Sequence, residues 1–357
     1  MSRALSWSEI SMALTCEARH AFAYTGHLTG GVALKRRATA LPLSNGRAWG
    51  AAVAAWHAFS GHETLESAFD PALARLDALR ALRDSYDADA DEQADRGVWL
   101  EPGALAEREL WLGEILEHYM STAVRLDNLT RIEEELDEPI PSRTGVRSSS
   151  RYHFVGFIDG FTVDQPGNEW VAEFKLRTKL TPVHLVQLSR QIRWYAWARQ
   201  RQTGKRVVGV IVDERLAAAP KPARLVQAGR PDILRPSHAV DQMTTPQAYI
   251  DLCTEYGVEP HDDTVAALSN REWQKRIPIM FEPGELEEAG RELVSAAKLI
   301  RDLDSGERYP VRNAIPYICN GCAFREICAD PSDRLYLETL YELTEPKRLR
   351  PELMEAA

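Results

Sequence analysis

The chain has 357 residues, 44% of them hydrophobic, and carries 43 Lys and Arg against 53 Asp and Glu, a formal charge of −10. That length allows one large domain or two ordinary ones, and the acidic balance excludes a general polyanion binder while leaving room for a local basic groove. Five cysteines are an odd, low count, nothing at the start reads as a signal peptide, and the longest near-apolar run, 48–59, is too short for a bilayer; the expectation is a cytoplasmic protein with no membrane segment and no disulfide framework.

In chain order, Ser6 with Glu9 three residues later forms a capping-box pattern at the start of a helix that carries Cys16. Helices are expected over 49–59, 63–85 and 105–126, with "DADADEQAD" (87–95) read as a solvated acidic linker. The period then changes. "RIEEELDEPIP", "RYHFVGFIDGFTV" and "EWVAEFKLR" are short, mostly rich in β-branched and aromatic residues, and broken by Pro and Gly, which predicts three successive strands. Thr181 and Pro182 read as an N-cap and first helical position of one helix running to Gln202 and stopping at Gly204.

"KRVVGVIVDER" is a further strand, 216–240 a proline-rich excursion, and 285–303 a helix leading into "YPVRNAIPYICNGCAFREIC". Strand, strand, strand, helix, strand predicts an α/β fold with a mixed central sheet flanked by helices. The expected organisation is an N-terminal helical region (1–130), a core (131–213), an insertion and helical region (214–300) and a C-terminal segment (301–357), together one structural unit.

"FVGFIDGFTVDQPGNEWVAEFK" predicts a hairpin turning at Pro166. With a five-residue loop, 164–168, position i pairs with 332 − i, which sets Asp159 opposite Glu173; alternation adds Lys175 to the same face. A four-residue loop would send Asp159 to the other side. Two carboxylates about 5 Å apart repel unless a cation sits between them, and oxygen ligands suit Mg²⁺ or Mn²⁺. The alternative is an ordinary Glu-Lys pair on an edge strand. Gln191 and Tyr195 share one helix face at i and i+4.

Cys319, Cys322 and Cys328 have C-x2-C-x5-C spacing, and Cys16 stands 303 positions upstream of the first. Three thiolates in ten residues can hold one metal centre with a fourth ligand from elsewhere; zinc, which favours two paired arms, stays open. Cys253 reads as a buried apolar residue.

"GFIDG" with Asp159, "EFK" with Glu173 and Lys175, "QIRWY" with Gln191 and Tyr195, and one early plus three late cysteines together resemble the PD-(D/E)XK nuclease superfamily, in particular its RecB-like iron–sulfur branch, over roughly residues 5–330. That branch includes CRISPR-associated and phage exonucleases and AddB-type helicase–nuclease subunits. The resemblance implies a restriction-endonuclease-like sheet, a 4Fe-4S cluster on Cys16, Cys319, Cys322 and Cys328 joining the terminal segments, and Mg²⁺ or Mn²⁺ on Asp159, Glu173 and the carbonyl of Phe174.

One departure stands out: the family's metal-binding histidine falls on Gly50, and His57, seven residues on, is either its replacement or a packed histidine beside Trp56. The implied activity is metal-dependent hydrolysis of DNA phosphodiesters, from single-stranded ends, in recombination, repair or phage DNA processing. Arg177, Lys179, Arg190, Arg193, Arg199 and Arg201 are candidate groove cations, and Trp194 and Trp197 candidate stacking platforms or core residues. No P-loop is present, so unwinding would need a helicase or recombination partner. The alternatives are a non-catalytic DNA-binding or adaptor subunit of a helicase–nuclease or CRISPR adaptation complex, and a zinc-stabilised interaction protein.

Overall fold

A computed structural model describes residues 3–58, 70–126, 129, 134–141, 148–228 and 233–347. The chain runs β1 (Arg3–Ser6), α1 (Trp7–Thr15), α2 (Glu17–His20), β2 (Ala33–Arg36), α3 (Leu41–Ala58), α4 (Pro71–Asp95), α5 (Pro102–Thr122), β3 (Glu134–Pro141), β4 (Ser148–Ile158), β5 (Gly160–Val163) and β6 (Glu169–Arg177). It continues through α6 (Val183–Gln187), α7 (Arg190–Thr203), β7 (Val207–Leu216), β8 (Leu225–Gln227), β9 (Leu234–Pro236), α8 (Pro246–Glu255), α9 (Asp262–Ser269), β10 (Gln274–Met280), α10 (Glu285–Asp304), α11 (Pro316–Cys319), α12 (Arg325–Ala329), α13 (Arg334–Leu340) and β11 (Tyr341–Thr344). It is a mixed α/β fold.

The expected single central sheet is two. One has the order β1-β4-β3 and the other β10-β7-β6-β5. They are joined end to end, because β4 stops at Ile158 and β5 starts at Gly160 in the other sheet. Only Asp159 lies between, in a bend. β6 and β7 run parallel, with β5 and β10 antiparallel on either side, so the crossover from β6 to β7 carries α6 and α7 across the sheet face.

Alternation along β6 sorts its side chains between two cores. Val171 joins the apolar cluster under α7 and α10, whereas Ala172 and Phe174 join the cluster formed with α3, α4 and α5. Glu173 and Lys175 therefore share the α7 side with Val171. Ser6 caps α1 by accepting from the Glu9 amide at 3.3 Å, as the capping-box spacing predicts. Arg3, 6% exposed, pairs with Glu9 and reaches Asp304 Oδ2 at 3.1 Å, tying β1 to the end of α10.

Several local expectations are corrected. The helix predicted over 49–59 is α3 and begins eight residues earlier, at Leu41, while Phe59 lies outside the described residues. The helix predicted over 63–85 is α4; its part over 63–69 lies outside the described residues, and it runs on through "DADADEQAD". That stretch is helical because Tyr86, Asp89 and Gln93 fall on one stripe and are buried; Tyr86 donates to Asn45 Oδ1 at 2.8 Å, and Gln93 Oε1 accepts from the Thr39 amide at 3.1 Å.

The helix expected over 181–202 is broken in two at Leu188–Ser189. Thr181 does not cap it: its amide and hydroxyl both donate to Glu214, at 2.7 and 2.8 Å. Gly204, left-handed at φ 68°, ends α7 as expected.

Candidate active site

The hairpin register follows 332 − i throughout: Gly160 pairs with Ala172, Phe161 with Val171, Thr162 with Trp170 and Val163 with Glu169. The five-residue turn closes with Asp164 accepting from the Asn168 amide at 2.8 Å and Gly167 at φ 88°, a conformation L side chains avoid. One step beyond β5, Asp159 reaches across the hairpin and its Oδ2 accepts from the Phe174 amide at 2.6 Å.

Glu173 is 2% exposed. Its Oε1 is held by the Lys175 ammonium and by Gln191 Nε2 at 3.1 Å. Burial alone would push the Lys175 ammonium towards its neutral form, but the charges of Glu173 and Asp159 outweigh it and raise its pKa. The same two carboxylates, after burial itself, push the Tyr195 phenol up, so Tyr195 stays protonated. The fold thus brings Asp159, Glu173, Lys175, Gln191 and Tyr195 into one electrostatic group. Gly156 leaves room for this ring: a Cβ there would lie 3.0 Å from Tyr195, which would have to give by a few tenths of an ångström.

A cleft of about 580 Å³ opens beside this group at the carboxyl ends of β6 and β7, lined by Glu173, Lys175, Arg177, Arg190, Arg193 and Glu214 among others. Carboxyl ends of adjacent parallel strands are where open α/β sheets bind ligands. Glu214 was not singled out from the sequence. It is fully buried opposite Lys175 in the β6/β7 register and accepts from Arg177 Nε at 3.2 Å as well as from Thr181. The available signal was an acid at the end of an apolar strand, in "VIVDER".

Of the other predicted cations, Arg199 is 4% exposed and is committed to buried Glu169 at 2.9 Å, which takes it out of any groove. Arg201 pairs with Glu138 at 2.7 Å. Trp194 and Trp197 are core residues, 1% and 5% exposed.

His57 does not join the group. It packs on the opposite face of the sheet, its ring stacked on Phe174 at 5.2 Å, and both nitrogens are engaged: Nδ1 accepts from the Leu126 amide and Nε2 lies against Tyr119 Oη, each at 2.9 Å. Tyr119 in turn donates to Asp213. Burial, with Arg276 and Arg125 nearby, pulls the His57 pKa down to about 2, leaving a neutral ring with no lone pair to offer. Gly50 is instead the α3 position that abuts Asp159: a Cβ there would lie 3.7 Å from its Oδ1.

Two carboxylates and a carbonyl are hard oxygen donors and suit Mg²⁺ or Mn²⁺. Among the described residues, no group of three or more His, Cys, Asp or Glu is arranged to hold a metal ion. Cys16, Cys322 and Cys328 share one apolar cluster with Phe22, Phe324 and Tyr341, and all five cysteines are free. The Asn313 amide approaches Cys16 Sγ and the Phe324 amide approaches Cys322 Sγ, each at 3.4 Å. The thiols are a neighbourhood rather than a closed ligand set. Cys253 is fully buried against Tyr249 and Leu268.

The family model of the PD-(D/E)XK nuclease superfamily matches residues 4–329. This chain belongs to the PD-(D/E)XK nuclease superfamily. The match is to the superfamily as a whole, and membership supports a nuclease role with DNA as substrate. Among solved structures the chain is similar to SSO0001, at 15% identity over 69% of this chain and 79% of that one with a TM-score of 0.29. It is also similar to a candidate exonuclease from Eubacterium rectale, at 11% identity over 72% and 76% with a TM-score of 0.34. At these values neither likeness adds to the assignment. No curated protein matches the chain. No described helix is long and apolar enough to cross a membrane.

Proposed function

We propose that this PD-(D/E)XK protein is a divalent-metal-dependent DNA exonuclease acting on single-stranded ends. The observation that carries the reading is the joint hold on the two carboxylates: Asp159 fixed by the Phe174 amide, and Glu173 fixed by Lys175 and Gln191. Asp159, Glu173 and the Phe174 carbonyl are the donors for Mg²⁺ or Mn²⁺. Bound there, such an ion supplies a water of lowered pKa and offsets charge on the phosphoryl oxygens.

The residues themselves divide the remaining work. Lys175, kept charged by its acidic neighbours, meets the negative charge that develops on phosphorus oxygens. Gln191 stops Glu173 from swinging onto Lys175 alone. Arg177, Arg190 and Arg193 line the cleft and offset the charge of the phosphodiesters on either side.

The test uses single- and double-stranded DNA labelled at either terminus. Metal-dependent release of label from single-stranded ends, lost in Lys175→Ala, supports the reading; wild-type protein without cleavage in Mg²⁺ or Mn²⁺ ends it. A second reading, a non-catalytic DNA-binding subunit of a larger nuclease assembly, is favoured by Gly50 standing at the histidine position and by the engaged His57. Binding without cleavage in both metals would select it.

A 4Fe-4S cluster on Cys16, Cys319, Cys322 and Cys328 belongs to the same proposal, supported by the apolar cluster that Cys16, Cys322 and Cys328 share and by Asn313, which approaches both Cys16 and Cys319. Iron with acid-labile sulfide and absorption near about 400 nm would establish it. Stoichiometric zinc in colourless protein would replace it.

A further inference from the structure

A second cavity, of about 730 Å³, lies between β2, the start of α3, the end of α4 and the segment after Cys319. Of Cys16, Cys319, Cys322 and Cys328 only Cys322 lines it, so the cavity borders the thiol neighbourhood on one side. Five cations face it: Lys35, Arg36, Arg47, Arg96 and Arg325. Only two carboxylates answer them from the lining. Glu92 is shared by Lys35, Arg47 and Arg96, and Glu326 by Arg36 and Arg325. Buried Asp89 stands behind Arg47 at 3.5 Å, and the local balance is still positive in a chain of net charge −10. Such a cavity attracts anions.

α3 links this cavity to Asp159. Leu43, Gly46, Arg47 and Gly50 form its outward stripe at helical spacing. Leu43 and Arg47 line the cavity, and Gly50, one turn beyond Arg47, abuts Asp159. Seven residues of helix, Leu43 to Gly50, span about 10 Å.

Neither glycine has a packing reason. A Cβ on Gly46 would meet nothing within 4 Å, and one on Gly50 would meet only Asp159, at ordinary contact distance. Glycine is unfavourable inside a helix relative to alanine, so two on one outward stripe leave a bare track where a ligand backbone can lie close.

We propose that the basic cavity and the glycine stripe of α3 form a track for the phosphodiester backbone of a DNA single strand, feeding it to Asp159 from the side opposite the arginine-lined cleft. The inference rests on the nuclease reading and extends it. The strand's phosphates sit among the five cations and its sugar-phosphate edge passes over Gly46.

The test measures binding of fluorescent oligothymidylates without divalent metal, by anisotropy across a salt series, using one strand of roughly 20 nucleotides and one of roughly 4. The double variant Lys35→Ala/Arg325→Ala removes two exposed cations. It is expected to weaken binding of the long strand about tenfold and to flatten the log K against log salt slope by roughly 0.7 per lost contact, with the short strand little changed. Gly46→Leu raises the melting temperature through helix propensity and yet weakens long-strand binding, a pairing that misfolding does not produce. Glu92→Gln, which frees three cations, tightens binding.

Long-strand affinity and salt slope unchanged in all three variants overturn the track. If Asp159→Asn is then inactive while wild type cleaves, the nuclease reading survives that failure. If wild-type protein neither binds nor cleaves any of these strands, both fall together.

Discussion

Asp159 and Phe174 are joined across the β5–β6 hairpin by a 2.6 Å bond from the Phe174 amide to Asp159 Oδ2. Because Asp159 sits where β4 leaves one sheet and β5 enters the other, that bond also helps hold the two sheets together. Asp159→Asn keeps an oxygen acceptor for the amide and loses the charge. We expect metal-dependent cleavage to fall by about 10²–10³-fold or more with little change in melting temperature, measured as kcat on end-labelled single-stranded DNA. Asp159→Ala, which also strips the amide of its partner, should lose stability as well.

Arg199 and Arg201 lie two residues apart on α7 and should behave very differently. Arg199 is buried against Glu169, which is itself fully buried; removing one partner of such a pair costs about 3–5 kcal/mol. Lys205 stays 3.3 Å from Glu169 and should keep Arg199→Ala at the low end. Arg201, with 45% of its side chain exposed, should cost under about 1 kcal/mol. Urea denaturation of the two alanine variants reads the difference.

Acid stability should carry the mark of His57. Its folded pKa of about 2 lies far below the 6.5 of a free imidazole, so the unfolded chain takes up a proton that the native state refuses. The His57 contribution is complete above pH 6.5 and is lost as pH falls below it, by at most about 1.4 kcal/mol per pH unit. His118, pulled down to about 4 by burial and Arg215, adds to the slope above pH 4. Thermal melts between pH 7 and 5 should show the fall, and His57→Gln should flatten it.

Gly50→His would place an imidazole where α3 abuts Asp159. Titration calorimetry with Mn²⁺ should show tighter binding, on the order of tenfold. Unchanged affinity would mean that the space at Gly50 does not border the proposed metal donors.

The site was legible in the sequence where local rules fix geometry. A five-residue turn with a glycine in the left-handed region leaves one register, which pairs Gly160 with Ala172 and leaves Asp159, in the bend one step beyond, bonded to the Phe174 amide. It was illegible where distant packing decides. Nothing in "DADADEQAD" announces that Asp89 and Gln93 are buried, because their partners come from distant segments, Arg47 of α3 for Asp89 and the Thr39 amide for Gln93. Thr181 has the composition of an N-cap, but Glu214, 33 residues on, captures its hydroxyl first. His57 lies on nearly the same side of α3 as Gly50, seven residues falling about 20° short of two turns, yet its ring stacks on Phe174 while Glu173 points to the other face of the sheet. β10 escaped notice because Pro278 interrupts it, which an edge strand tolerates.

The clasp between Arg3 and Asp304 spans 301 residues of chain. During synthesis the hairpin of β5 and β6 can form as soon as its own residues have left the ribosome, but the guanidinium of Arg3 must wait for nearly the whole protein to emerge before its second carboxylate arrives. Vectorial synthesis therefore delivers the candidate-site hairpin early and this fastening late, so a nascent chain stalled before Asp304 would hold Asp159 and Glu173 in an unsealed shell.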